Sequence, residues 1–107
     1  MCGISGYISK TNLIADNGVP RTLELMKRRG PDSKNFYKNS YNSKQLALLH
    51  SRLNIIDLNE RANQPYYDEH FIVVFNGEIY NYLEIKNKLK EKNYKFNTNS
   101  DPEVLIK

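Results

Sequence analysis

The 107-residue sequence has a single cysteine, no tryptophan and two histidines. One cysteine excludes an internal disulfide, and neither His50 nor His70 has a carboxylate or thiol at metal-ligand spacing, so both are interpreted as structural. The longest apolar run, residues 71–75, is far short of the roughly 20 residues that a membrane helix needs. Because the start also lacks a signal-peptide pattern, we expect a cytoplasmic protein without a membrane partner.

Composition favours one globular domain, with 39% apolar and 26% charged residues. The formal net charge of +4 comes largely from lysines, which are densest between Lys86 and Lys95. These lysines alternate with acidic residues and leucines, as on the solvent-exposed side of an amphipathic helix. We therefore expect no nucleic-acid partner.

The first third of the sequence predicts a strand followed by a helix. β-Branched residues and glycines over residues 2–9 favour a strand with close backbone contacts. A helix is expected from Pro20 to Gly30-Pro31, with Gly30 in a left-handed cap. Its expected buried residues are Leu23, Leu25 and Met26.

The remaining sequence predicts short strands and two further helices. The expected strands cover residues 36–41, 45–49, 53–58, 71–75 and 94–98. Asn81 and Ser100 are each followed three residues later by a glutamate, which is the spacing of a capping box at a helix start. Since the second of these helices is cut off at Lys107, we expect the chain to be the N-terminal part of a larger α+β domain.

Cys2 is the first candidate for chemistry. If Met1 is removed, the α-amino group of Cys2 has an ordinary pKa of about 7.7 to 8.0, so part of it is a free base at neutral pH. Thiol and base then belong to one residue, as in N-terminal nucleophile catalysis. The alternative is that an early cysteine is incidental.

The segment "FNGEIYNY" offers two interpretations. Asn-Gly after an apolar run is typical of a type I′ hairpin turn. Alternatively, the Asn76 side-chain amide and the Gly77 backbone N–H form an oxyanion hole. A predicted helix follows, which favours a strand–loop–helix junction over a plain hairpin.

Two charged residues complete a possible substrate site. Arg52 in "LLHSRLNIIDL" can pair with a carboxylate, although it is equally interpretable as a strand-end charge. Asp101 can bind an ammonium group with help from Glu78, or simply stabilise the start of a helix. Glutamine fits this combination of groups. Its side-chain carboxamide would meet the thiol and the oxyanion hole, and its carboxylate and ammonium groups would meet the two charged residues.

The motifs occur in the order found in a known family: "MCGISGYI", "RRGPDS", "LLHSRLNIID", "NQP", "FNGEIYNYLEIKNKL" and "FNTNSDPEVL". The sequence thereby resembles the class II glutamine amidotransferase domain of asparagine synthetases, in the N-terminal nucleophile hydrolase superfamily. The resemblance implies an αββα sandwich of two mostly antiparallel sheets, of which only the N-terminal part is present in residues 1–107. It implies that Cys2 is the nucleophile and that Asn76 and Gly77 form the oxyanion hole. The implied glutamine contacts are Arg52, Leu53, Asn54, Ile55, Ile56, Asn76, Gly77, Glu78 and Asp101.

In such enzymes, ammonia passes to a C-terminal synthetase domain that uses ATP and magnesium to convert aspartate to asparagine. That domain is absent from this sequence, so no cofactor is expected within it, and a homodimer stays open. Ser5, Ser33 and Pro102 depart from the family pattern, and Pro102 would disfavour a helical Asp101. The alternatives are a non-catalytic or truncated glutamine-binding domain and the amidotransferase of a related amide-forming synthetase.

Overall fold

The computed structural model describes residues 1–10, 17–54 and 59–107. Within these ranges the chain forms two antiparallel sheets and three α-helices. The strands are β1 (Gly3–Ser9), β2 (Ser33–Tyr41), β3 (Lys44–Arg52), β4 (Tyr66–Tyr67) and β5 (Ile72–Val73). The helices are α1 (Gly18–Met26), α2 (Tyr82–Glu91) and α3 (Asp101–Ile106), with a 3₁₀ helix at Glu60–Ala62. None of the described helices is long and apolar enough to cross a membrane.

The larger sheet has the strand order β1-β3-β2, with β3 in the centre. β3 continues through the polar step His50-Ser51-Arg52, where the sequence predicted a break. The reason is that β3 pairs with a neighbour on both sides there: Ser51 lies opposite Gly3 of β1 and Lys34 of β2. Backbone pairing on two sides outweighs the low strand preference of single polar residues.

Helix α1 covers one face of this sheet. Val19 and Leu23 of α1 pack with Ala47 and Leu49 of β3 to form a buried apolar cluster. Leu25 was predicted to be buried, and that prediction is wrong, since the residue is 75% exposed. Successive helical residues turn by about 100°, so Leu25 points away from the side that carries Leu23.

Gly30 does not adopt the predicted left-handed cap, because no glycine among the described residues has a positive φ. Helix α1 ends earlier, at Met26, whose carbonyl accepts the N–H groups of Arg29 and Gly30. Gly30 is buried, and a Cβ atom there would lie 2.3 Å from the Ser51 carbonyl oxygen. Glycine is therefore required for close backbone approach.

The second sheet is smaller than predicted. The expected strand over residues 71–75 is reduced to Ile72–Val73, and residues 94–98 form no strand. Helix α3 packs against β4 and β5, while α1 packs against the larger sheet. The α+β class with two antiparallel sheets is thus confirmed, and each sheet has a helix packed against it.

Both predicted helix starts are confirmed, but the glutamates do not act as predicted. Neither Asn81 nor Ser100 makes a side-chain cap hydrogen bond. Glu84 instead forms an exposed ion pair with Lys88, at 2.6 Å. Lys86 was predicted on the exposed face, but it is 5% exposed and its Nζ donates to the Thr98 carbonyl at 2.6 Å.

Glu103 forms a buried hydrogen-bond network that holds the start of α3. Its carboxylate accepts the backbone N–H groups of Asn97 and Thr98 at 2.8 and 2.7 Å, and the Thr98 hydroxyl at 2.6 Å. Burial alone raises the pKa of Glu103, but hydrogen bonds from Thr98, Asn97 and Tyr66 outweigh it and lower the pKa below its ordinary value. The group is therefore a buried carboxylate.

Replacing Glu103 by glutamine should lower the free energy of unfolding by about 2 kcal/mol, because an amide NH₂ then faces donors that need an acceptor. Urea denaturation measures this loss. Glu84→Gln is the matched control, since it removes only an exposed ion pair and should leave the free energy of unfolding nearly unchanged. Equal losses in the two variants would contradict the assigned role of Glu103.

Candidate active site

A cleft of about 70 Å³ lies where the ends of the two sheets and the start of α3 meet. It gathers residues that are far apart in the sequence. The lining residues are Cys2, Arg52, Leu53, Ala62, Gln64, Phe75, Gly77, Glu78, Ser100, Asp101 and Pro102. The only thiol of the chain therefore shares a cavity with three of the predicted charged residues.

Cys2 precedes β1 and lies beside the end of β3. Because Gly3 pairs with Ser51 in antiparallel register, Cys2 meets the backbone that follows β3. The Leu53 N–H donates to the Cys2 Sγ at 3.4 Å, and Sγ donates to the Leu53 carbonyl at 3.7 Å. Arg29 Nε donates to the Cys2 carbonyl at 3.3 Å. These contacts hold the thiol at the wall of the cleft.

Arg52 lies at the end of β3 and is 5% exposed. Its Nη1 donates to the Asn63 Oδ1 at 2.8 Å and to the Asn59 carbonyl at 3.2 Å. These bonds fix the planar guanidinium at the cleft wall, where its charge can attract a carboxylate. Arg52 is therefore a positioned cation and also the last residue of β3, as one sequence interpretation had it. Its role in binding a carboxylate stays a prediction.

The segment after Arg52 is only partly described. Leu53 lines the cleft, and the Asn54 N–H donates to the Asp32 carboxylate at 2.7 Å. The predicted contacts Ile55 and Ile56 lie outside the described residues. Asp32, in the motif "RRGPDS", thus holds the backbone beside the thiol.

Gly77 lines the cleft, whereas Asn76 is exposed and is not among the lining residues. The type I′ interpretation of Asn76-Gly77 is wrong, because neither residue has a positive φ. Such a conformation occurs instead at Asn42 and Ser43, with φ of 47° and 61°, in the tight turn between β2 and β3. Asn76-Gly77 belongs to the loop before α2, and its oxyanion role stays a prediction.

The acidic residues come from two segments. Asp101 is the first residue of α3, 8% exposed, and its Oδ2 accepts the Ile79 N–H at 3.2 Å. That bond joins α3 to the loop that carries Glu78, so both carboxylates line the cleft. Pro102 leaves Asp101 helical, since proline is tolerated in the first turn of a helix.

Five lining residues were not predicted as site residues: Ala62, Gln64, Phe75, Ser100 and Pro102. The motif "NQP" contained the signal for Gln64, because it belongs to the pattern that carries the resemblance. Phe75 begins the motif "FNGEIYNYLEIKNKL", and Ser100 and Pro102 lie in "FNTNSDPEVL", so the same signal was present for them. No motif or periodicity indicated Ala62, which reaches the cleft through tertiary packing.

His50 is a buried histidine next to the site, 1% exposed, and neither ring nitrogen has a hydrogen bond of good geometry to a described residue. Burial lowers the pKa of His50 to about 4; the Phe75 backbone opposes this shift, and the Arg52 charge adds to it. The imidazole is therefore neutral at pH 7, in agreement with a structural role.

The stability of the protein should fall as pH decreases from 6.5 to 4. In this window the unfolded chain binds a proton at His50 and the folded chain does not, so acid favours unfolding. The shift corresponds to a loss of about 3 kcal/mol, complete below pH 4. Urea denaturation at several pH values should show a shallower decrease for His50→Gln, whereas the exposed control His70→Gln keeps the wild-type slope. If the free energy of unfolding depends on pH in the same way in wild type and His50→Gln, the assigned effect of His50 is refuted.

Comparison with known proteins gives a consistent result. The family model of a glutamine amidotransferase domain matches residues 1–107. The chain is similar to "Asparagine synthetase [glutamine-hydrolyzing] 1" of Bacillus subtilis, with 39% identity over 99% of the chain and 17% of that relative. It is 40% identical to the asparagine synthetase of Brassica oleracea, over 98% of the chain and 17% of the relative.

A putative asparagine synthetase of Methanocaldococcus jannaschii is 34% identical, over 100% of the chain and 23% of the relative. The chain thus spans about a fifth of the length of the curated relatives it matches. No solved structure matches it.

Proposed function

Because this chain belongs to the glutamine amidotransferase family, we propose that it hydrolyses the side-chain amide of glutamine in the cleft around Cys2. The observation that carries the proposal is the placement of the thiol in one cavity with Arg52, Gly77, Glu78 and Asp101. A nucleophile, a cation and two carboxylates are the groups that amide hydrolysis of an α-amino acid requires.

The proposed reaction begins at the sulfur. Removal of Met1 exposes the α-amine of Cys2, which takes the thiol proton as Sγ attacks the amide carbon. A C–S bond forms, the C–N bond breaks, and the α-ammonium group returns the proton to the leaving nitrogen as ammonia departs. Water then cleaves the thioester, releasing glutamate and restoring the thiol.

Charge develops on the amide oxygen during the attack. We assign the Gly77 N–H and the Asn76 side-chain amide as the donors that stabilise it. At the other end of glutamine, Arg52 binds the α-carboxylate while Asp101 and Glu78 bind the α-ammonium. The buried position of Asp101 and its bond to the Ile79 N–H support a fixed site for that cation.

The use of the ammonia is a proposal drawn from the relatives, most of which are named asparagine synthetases. We propose aspartate as the acceptor, activated with ATP and magnesium in a C-terminal synthetase domain that would be the partner of this one. Another amide-forming synthetase is the second candidate. A relative at 34% identity is named amidase chry2 and not asparagine synthetase, so similarity at this level extends beyond proteins with that name. Residues 1–107 would then be part of a type-2 amidotransferase domain in either protein, as a monomer or homodimer.

Incubation of the purified protein with glutamine tests the proposal. We expect glutamate and ammonia in equal amounts, and a γ-glutamyl adduct of Cys2 by mass spectrometry after rapid acid quench. Binding of glutamine without product would instead identify a non-catalytic binding domain and refute the proposed reaction.

A further inference from the structure

Gln64 makes a paired hydrogen bond with the backbone of a single residue. The Phe75 N–H donates to the Gln64 Oε1 at 2.6 Å, and the Gln64 Nε2 donates to the Phe75 carbonyl at 3.2 Å. Gln64 is only 7% exposed, so the two bonds lie away from bulk water. The amide oxygen and the amide nitrogen of Gln64 therefore both bind the Phe75 backbone, as the backbone of a neighbouring strand would.

Phe75 directly precedes the two residues that we assign to the oxyanion hole. Its ring occupies the space beside Gly77 that a side chain would need, since a Cβ atom added there would lie 2.9 Å from the Phe75 ring. Backbone and ring of Phe75 therefore both set where the Gly77 N–H lies. β5 ends at Val73, so regular strand pairing does not hold Phe75, and the Gln64 side chain supplies the missing contacts.

The neighbouring Asn63 holds a different residue of the cleft, Arg52. Its Oδ1 accepts the Arg52 Nη1 at 2.8 Å. Two consecutive side-chain amides therefore bind two different residues of the cleft: one holds the cation proposed for the α-carboxylate, and the other holds the chain before the oxyanion donors. This separation predicts different kinetic effects for changes at the two positions.

We propose that Gln64 is a positioning residue for the oxyanion hole, and this inference rests on the proposed function. By holding Phe75 on both its N–H and its carbonyl, Gln64 fixes the Gly77 N–H and Asn76 relative to the Cys2 sulfur. Misplacement of such donors affects the transition state more than the bound substrate, because the charge appears only as the C–S bond forms.

Gln64→Met tests the inference, because methionine has a similar length and makes neither bond to Phe75. With glutamine as substrate we expect kcat to fall about 10- to 100-fold, with KM within about 3-fold of wild type. Asn63→Ala is the comparison variant at the proposed α-carboxylate site: because Arg52 loses its 2.8 Å hydrogen bond, KM should rise by a larger factor than kcat falls. The carboxylate of Gln64→Glu can accept a hydrogen bond but cannot donate one, so its kcat should lie between those of wild type and Gln64→Met. If Gln64→Met does not fold, the kcat of Gln64→Glu tests the inference in its place.

Inhibitor binding separates positioning from general damage. The γ-aldehyde of glutamate adds its carbonyl carbon to the Cys2 sulfur, with the thiol proton passing to the oxygen, so its affinity reports on the oxyanion hole. L-Glutamate binds without forming that bond. We expect Gln64→Met to weaken the aldehyde about 10- to 100-fold and to leave glutamate affinity unchanged.

The inference is overturned if Gln64→Met retains wild-type kcat, or if the affinities for aldehyde and glutamate fall together. A wild-type protein that releases no ammonia from glutamine would refute the proposed function, and this inference with it. Wild-type activity together with an equally active Gln64→Met variant refutes the inference alone.

Discussion

Replacing Cys2 by alanine should reduce ammonia release from glutamine by more than about 1,000-fold, because no other group in the cleft can form the proposed thioester. Arg52, Glu78 and Asp101 stay in place, so the affinity for glutamine should change little. A coupled glutamate assay measures the loss, and isothermal titration measures binding. Cys2→Ser, which keeps the size of the side chain, serves as the conservative control and should also lose most activity.

The proposed chemistry at Cys2 also requires a free α-amine on the same residue. The active protein should therefore begin with Cys2, as shown by intact mass and N-terminal sequencing. Glutaminase activity that persists in Cys2→Ala, or full activity in protein that retains Met1, would exclude the proposed chemistry.

Replacing Gly30 by alanine should lower the free energy of unfolding by about 3 kcal/mol, which is the upper end of the cost of overpacking. The added Cβ would lie 2.3 Å from the Ser51 carbonyl oxygen and 2.6 Å from the Arg52 nitrogen. Both contacts are backbone atoms of a central strand, so neither can move without breaking strand pairing. Urea denaturation gives the difference.

Gly6→Ala provides the graded comparison for Gly30→Ala. Its Cβ would meet the Ala47 carbonyl oxygen at 2.9 Å, a milder overlap on the open face of the sheet. We expect a cost of about 1 kcal/mol there. If the two variants lose the same stability, the close approach of Gly30 to β3 is not what requires glycine at that position.

Prediction of secondary structure from the sequence succeeded where the signal lies within a short segment of the chain. The sequence correctly indicated where α2 and α3 begin, because residues favoured at helix starts and apolar spacing of three and four residues can be recognised within a short segment, although neither Asn81 nor Ser100 makes a cap hydrogen bond. Strand boundaries, which depend on pairing between distant segments, were predicted less well. The break expected at His50-Ser51-Arg52 is absent, and the strand expected over residues 71–75 is short, because partner strands decide both.

Within the site, too, the sequence indicated the residues of known motifs but not the long-range contacts between them. The motifs indicated Cys2, Arg52, Gly77, Glu78 and Asp101, and the cleft contains all of them. The motif "NQP" was visible, but no local rule shows that Gln64 spans eleven residues to bind Phe75. Only folded coordinates reveal such a contact, since it joins segments through backbone atoms that every sequence shares.

By itself, the sequence determined which chemical groups this protein can use: one thiol, a cation and carboxylates in an order that identifies the family. Tertiary structure alone decided that Lys86 and Glu103 are buried, that Gly30 serves close approach, and that two neighbouring amides bind different residues of the cleft. The physical reason is that side-chain identity is written in the chain, whereas burial and hydrogen-bond partners depend on which distant segments pack together.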